Sequence, residues 1–231
     1  MPVISPDDRY LTVLNLFTTD TPGKQEQLLD AMREIVDAAA YPGWISSTVH
    51  SGQDKRGTAN FIQWRSKHDL EIRYAGEEFR HRTVPLFTEI TTSIRLLQNE
   101  VVFTQRHSSA GPATVIGPER DDYTVIEILG TAQENLIDLV DVLGPSQEWL
   151  LETPGYRSHS VLRGVGSMYF EGPFAVCYSQ WDDKKSFDDF RALPAAEQPV
   201  ERQKTQARLD SIATFSDWNS YRVAHSRSAS K

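Results

Sequence analysis

The chain has 231 residues, a formal charge of −8, and 39 % hydrophobic and 10 % aromatic residues, enough apolar material for one large core or two small ones. The acidic balance argues against nucleic acid or an anionic membrane as partner, because phosphate binding wants clustered Lys and Arg. A single cysteine, Cys177, excludes an intramolecular disulfide and a cysteine-built metal site. No apolar run approaches a membrane span or a signal core, so a cytoplasmic protein is expected.

Taken in chain order, an alternating apolar segment at 10–17 predicts a strand. Leu28, Leu29, Met32, Ile35 and Val36 then recur at helical spacing on one face. Pro42-Gly43 marks a turn into a strand at 45–50, and a further strand is predicted at 59–64. Ser66 reads as the N-cap of a helix beginning near Lys67. Further helical sequence leads to a last strand at 101–107. The stretch 107–122, rich in glycine, proline and small polar residues, reads as a connector.

The same pattern then starts again. A strand is predicted at 123–129, and Thr131 with Glu134 forms an S/T-x-x-E capping box ahead of Leu136, Leu139 and Val140. Pro145 is expected to split that helix near Gly144. Strands at 157–162 and 175–181 follow, with a last one at 220–225 and a polar tail, 226–231, expected to fray. The similarity is also one of residues. Thr12-Val13-Leu14 returns as Thr124-Val125-Ile126, and Pro42-Gly43-Trp44-Ile45-Ser46 as Pro154-Gly155-Tyr156-Arg157-Ser158, both at an offset of 112. Gln63-Trp64 returns as Gln180-Trp181 at 117, so five residues are inserted in the second half. They fall within 163–173, which is expected to be a longer hairpin loop. A common order at a nearly constant offset identifies a tandem duplication.

Each repeat has the order β-α-β-β-α-β of a ferredoxin-like unit. Such a unit has an open sheet. Two units can pair their sheets into a closed barrel that removes the exposed edges. The expected architecture is therefore α+β: residues 1–110 and 122–231 as two repeats, 111–121 as linker, and one intramolecular barrel. The chain would then be either a monomer with an internal pseudo-dimer or a homodimer.

Pro42 to Ser51, followed by Asn60-Phe61-Ile62-Gln63-Trp64-Arg65-Ser66, resembles the antibiotic-biosynthesis-monooxygenase domain, clearly over 10–107 and more faintly over 123–225. The resemblance implies oxidation of a polycyclic aromatic polyketide by O2 in antibiotic biosynthesis. Small members of the family make quinones from anthrones or phenols without metal or bound cofactor. Longer tandem members resemble the oxygenases that open an angucycline ring with reduced flavin. The implied cofactor is thus none, or reduced flavin as a diffusible co-substrate delivered by a flavin reductase. The resemblance places catalytic roles on Asn60 and Trp64 and matches His50 to a cavity histidine. It matches Arg80 or Arg82 to a cavity arginine. In the second half Leu162 and Cys177 stand at the positions of His50 and Asn60, so that half is expected to be degenerate and only to complete the barrel.

Triplet oxygen reacts slowly with closed-shell molecules, so without a metal the electrons come from a carbanion, a phenolate or a reduced flavin. Such a site needs an apolar pocket, a group that takes the phenolic proton, and donors for the developing oxyanion. Asn60, Ile62 and Trp64 share one strand face, as do Ser46, Thr48 and His50. If both faces line one cavity, His50 can act as base, Asn60 as oxyanion donor and Trp64 as stacking platform and N–H donor. Asn15, Trp44, Ile62, Tyr74 and Arg80 complete the expected substrate-binding set. A strand tryptophan ordinarily fills a core, and the charged run around Arg73, Arg80, His81 and Arg82 ordinarily faces solvent. Asn60 is the less ordinary residue, since Asn is depleted in strands.

No G-x-G-x-x-G, P-loop, H-x-D/E or G-x-S-x-G pattern occurs, so no tightly bound nucleotide, no non-haem iron and no serine elbow is expected. Two other readings use the same scaffold. One is a non-catalytic or cyclase-like polyketide-binding protein. The other is a haem-degrading monooxygenase, for which His68 is the nearest candidate ligand.

Overall fold

A computed structural model describes residues 1–229. A short strand, β1 (Val3–Ile4), precedes the first repeat: β2 (Leu11–Thr18), α1 (Pro22–Ala38), β3 (Trp44–Gly52), β4 (Gly57–Trp64), α2 (Lys67–Ala75), α3 (Val84–Ile90) and β5 (Ser93–Arg106). The connector carries β6 (Thr114–Val115). The second repeat is β7 (Tyr123–Thr131), α4 (Leu136–Leu143), β8 (Tyr156–Met168), β9 (Phe174–Trp181), α5 (Lys184–Ala192), α6 (Val200–Ile212) and β10 (Ala213–Ser228). Around the closed barrel the order is β10-β3-β4-β2-β5-β8-β9-β7. Each repeat supplies four adjacent strands, and the antiparallel pairs β5–β8 and β10–β3 join the repeats. This is the predicted pair of ferredoxin-like units. Among the described residues, no helix is long and apolar enough to cross a membrane.

β5 and β10 run for 14 and 16 residues, well beyond the predicted segments, because each pairs with its own repeat on one edge and with the other repeat on the opposite edge. The tail is accordingly not frayed over 226–228: Ser226, Arg227 and Ser228 pair with Thr48, Ser47 and Ser46. Ser230 and Lys231 lie outside the described residues. The inserted stretch is only partly a loop, since Gly164, Gly166, Ser167 and Met168 extend β8 against β5. Thr131 is the last residue of β7 and gives its hydroxyl to the Ile212 carbonyl, 2.7 Å away, rather than capping α4. Pro145 does end α4, with Gly144 as its C-cap.

The Pro-Gly turns recur for a steric reason. Gly43 and Gly155 have φ of +76° and +75°. A Cβ would lie 2.2 Å from the Asp69 side chain at the start of α2 and 2.3 Å from Ser186 at the start of α5. Only glycine fits such a conformation at so close an approach.

The interior is filled by inward-facing residues of both repeats, among them Leu14, Phe61, Leu97, Ile126, Leu162, Val176 and Tyr178. One end is plugged by the antiparallel pair β1–β6, whose Ile4 and the following Ile116 reach that core. The recurrent Ser and Gln of the duplicated motifs hold the plug. Gln63 donates to the Val3 carbonyl (2.9 Å) and accepts from Ser46 Oγ (2.7 Å). Gln180 donates to the Val115 carbonyl (3.0 Å) and accepts from Ser158 Oγ (2.7 Å). Gln180→Met keeps the length but strands a buried hydroxyl and carbonyl. We expect a loss of about 2 kcal/mol, read as a lower urea midpoint at constant slope.

Candidate functional site

β3 and β4 set the site. A bulge between Trp44 and Ser46 lets Trp44, Ser47 and Val49 oppose Trp64, Ile62 and Asn60 on the outer face, beneath the helices. Ser46, Thr48 and His50 oppose Gln63, Phe61 and Ala59 on the inner face. Asn15 of β2 sits directly opposite Asn60 across the β2–β4 pair. The outer face and the helical layer enclose a cavity of about 80 Å³, lined by Asn15, Trp44, Asn60, Ile62, Trp64 and Tyr74 of the predicted set.

The lining is mostly apolar, yet four buried polar atoms among it have no hydrogen-bond partner: Asn15 Oδ1, Asn60 Oδ1, Trp64 Nε1 and Tyr74 OH. Buried polar groups are normally paired, so two acceptors and two donors left open around one cavity mark a place for a polar-edged ligand. Burial pushes the Tyr74 phenol well above its ordinary pKa, so it stays a neutral donor.

Two predicted residues lie elsewhere. His50 is fully buried in the barrel interior. Its Nδ1 faces the carbonyls of Thr48 (3.1 Å) and Ala59 (3.2 Å), so Nδ1 carries the hydrogen, and Nε2 accepts from Tyr178 OH at 2.9 Å. Both nitrogens are occupied, and desolvation lowers the imidazole to about 4. His50 is therefore a neutral strut between the repeats and cannot serve as the base in this cavity. Arg80 is exposed on a π-helical turn, Phe79–Thr83, and does not line the cavity. That turn precedes Pro85, which has no N–H for the His81 carbonyl and whose ring crowds it; the backbone widens instead, with the Val84 N–H bonded to the Phe79 carbonyl. His68 is exposed in the first turn of α2 and also lies outside the cavity.

Arg73 is the cation that sequence reasoning assigned to solvent. Its guanidinium stacks over Tyr41 at 4.1 Å and Phe79 at 5.5 Å, pairs with Glu78 at 3.2 Å, and lines the cavity. The one signal for it was its position among the aromatics Tyr41, Tyr74 and Phe79. Tyr169, from the residues inserted in the second repeat, reaches the same cavity with a left-handed φ of 65°. A tyrosine held there is under backbone strain.

The second repeat is not hollowed out less than the first. Its equivalent cavity measures about 550 Å³. Glu127, His159, Cys177 and Ser179 stand where the first repeat has Asn15, Ser47, Asn60 and Ile62. The difference in size follows from the helices. α1 has 17 residues and packs Met32 and Val36 over the first cavity, whereas α4 stops after 8 at Gly144-Pro145. All five tryptophans of the chain line one cavity or the other. Expecting the second repeat only to complete the barrel therefore missed a pocket.

Two fused ferredoxin-like units, closed into one barrel with a cavity beneath each helical layer, define a dimeric α/β-barrel protein in tandem form. No family model and no curated protein matches the chain. Among solved structures, an anthrone oxidase-like protein is 50 % identical over 100 % of this chain and 98 % of its own, with a TM-score of 0.96. A candidate monooxygenase of Fusobacterium nucleatum subsp. nucleatum is 8 % identical (95 % and 94 % covered, TM-score 0.63). A candidate chlorite dismutase is 11 % identical (94 % and 95 % covered, TM-score 0.54). The last two share the fold. The chain belongs with the anthrone oxidase-like proteins.

Proposed function

We propose that the chain is an oxygenase that converts a polycyclic phenol or anthrone of aromatic polyketide type to a quinone, in the cavity of the first repeat. The observation that carries this is the set of unpartnered atoms of Asn15, Asn60, Trp64 and Tyr74 around an aromatic-walled space. Membership of the anthrone oxidase-like proteins supports an oxidase or monooxygenase role.

In this reading the substrate supplies the electrons. Loss of a methylene proton to water gives an anthrone anion, which O2 oxidises; one oxygen stays as the new quinone carbonyl, and the other leaves as water with that proton and the second methylene hydrogen. Arg73 favours the anionic substrate through its fixed charge. The Asn60 Nδ2–H and the Trp64 and Tyr74 donors hold the oxyanion. At about 80 Å³ the cavity is below the 300–1,000 Å³ of ordinary ligand pockets, so entry of a polycycle moves the lining side chains apart. Reduced flavin as a diffusible co-substrate, delivered by a reductase, belongs to the ring-opening variant of this reading. Cytoplasmic action on an antibiotic intermediate, as a monomer whose repeats form its own pseudo-dimer, completes it.

Oxygen uptake with 9-anthrone and with an angucyclinone phenol, each with and without chemically reduced flavin, tests this. Enzyme-dependent uptake without flavin, with quinone as product, is the expected result. Uptake only above the flavin background would select the flavin-dependent variant. No enzyme-dependent uptake in any arm would overturn the oxygenase reading in favour of a binding or cyclase role.

A further inference from the structure

The cavity of the second repeat has the makings of a ligand site of its own. Its walls are aromatic: Trp149, Trp181, Phe187, Phe190 and Trp218. Arg191 lies over Trp218 and Arg202 over Phe190, each with its guanidinium 4.1 Å from the ring centroid, so two cations border the space, Arg191 within the electrostatic reach of the Glu127 carboxyl. Its floor carries Glu127, His159 and Cys177, on the outer faces of β7, β8 and β9.

His159 is the informative member. Its Nδ1 is 2.8 Å from Tyr156 OH, and that hydroxyl has the Gln105 carbonyl at 3.2 Å as its own acceptor. The Nδ1–Tyr156 bond can run in either sense, and the Leu143 carbonyl acts on the same ring as an acceptor. His159 is 1 % exposed and Nε2 has no partner. Desolvation lowers this imidazole to about 4, so it remains neutral at neutral pH. Cys177 is not a nucleophile here: its thiol is pushed up to about 12, chiefly by burial. The chemistry on offer is non-covalent recognition. Aromatic walls select a flat molecule, an unpaired imidazole nitrogen calls for a hydroxyl, and the arginines favour electron-rich oxygens on the same ligand.

We infer that the second repeat holds a separate binding site for a planar polycyclic phenol, whose hydroxyl pairs with His159 Nε2. The site stands independently of any oxidation in the first repeat, and at about 550 Å³ it has room for a three- or four-ring molecule without rearrangement.

Equilibrium titration of the whole chain with 2,6-dihydroxyanthraquinone, and with unsubstituted anthraquinone as reference, tests this without turnover. Removing a hydrogen-bond partner within a buried site corresponds to about a tenfold loss or more. His159→Phe is therefore expected to weaken the dihydroxy probe at least about tenfold while leaving anthraquinone unchanged. Cys177→Phe, which fills the floor, should remove the site for both. Asn60→Ala should leave this site untouched, which separates it from the first cavity. Equal affinity of both probes in His159→Phe and the parent would overturn the inference. So would binding in the parent that survives Cys177→Phe but is lost in Asn60→Ala.

Discussion

Asn60→Ala is expected to slow anthrone oxidation about 100-fold, the usual effect of deleting one oxyanion donor, without loss of stability. The two halves of that expectation have one cause. In the free protein Asn60 is 8 % exposed, and its Oδ1 has no partner. A buried amide left unsatisfied is a cost to the folded state, so removing it should leave the melting temperature unchanged or raise it. A structural residue would behave in the opposite way, losing stability and activity together. Trp64→Phe gives a second view, because it keeps most of the ring packing and deletes only the N–H. Full turnover in both variants, or a clear drop in melting temperature for Asn60→Ala, would sink the role assigned to this amide.

Acidification should unfold the protein in a window set by two histidines. His50 and His159 both have folded pKa values of about 4, against an ordinary 6.5, because burial disfavours the imidazolium. The unfolded chain therefore binds more protons between those values, and stability rises with pH through the window. The contribution is fully present above about 6.5 and is lost as pH falls to about 4. At 1.36 kcal/mol per unit it is on the order of 3 kcal/mol per histidine, a large share of the 5–15 kcal/mol that holds a typical domain. Glu127 works the other way, since burial raises its carboxyl above 4.5. Asp54, held low by the Ser220 hydroxyl and then Lys184, and Asp217, held low by Lys55 and Arg95, matter only further into acid. The pair His50→Leu with Tyr178→Phe removes one histidine with the hydroxyl it accepts from. About half of the loss between pH 6.5 and 4 should vanish in urea titrations. An unchanged slope would show that His50 is not its source.

Much of the fold could be read from the chain. The spacing of Leu28, Leu29, Met32 and Val36 located α1, and the recurrent Pro-Gly and Gln-Trp pairs located both repeats. The function of Ser46, Gln63, Ser158 and Gln180 could not be seen, because their partners are carbonyls of β1 and β6, far away in sequence. For the site, alternation tells which residues of a strand share a face but not how two strands face each other. The bulge at Ile45 fixes that relation and sends His50 inward while Asn60 and Trp64 point outward. Arg73 looked solvated because charge on a helix usually is, and its stacking between Tyr41 and Phe79 depends on tertiary packing. The second cavity was hidden by judging its repeat on the replacement of Asn60 by Cys177. Its volume depends on where α4 stops, and Pro145 had already announced that.

Covalent joining of the two units has a consequence for what the barrel can become. In a barrel assembled from two identical chains, every substitution appears twice, and a change that suits one pocket is imposed on the other. Here β5–β8 and β10–β3 close the same barrel from one chain, so the symmetry constraint is gone. Asn15 and Glu127, Ser47 and His159, Asn60 and Cys177 have diverged in pairs, while the plug-holding Ser and Gln of each repeat have stayed alike. The scaffold positions are held in common, and the pocket positions are free to specialise one at a time.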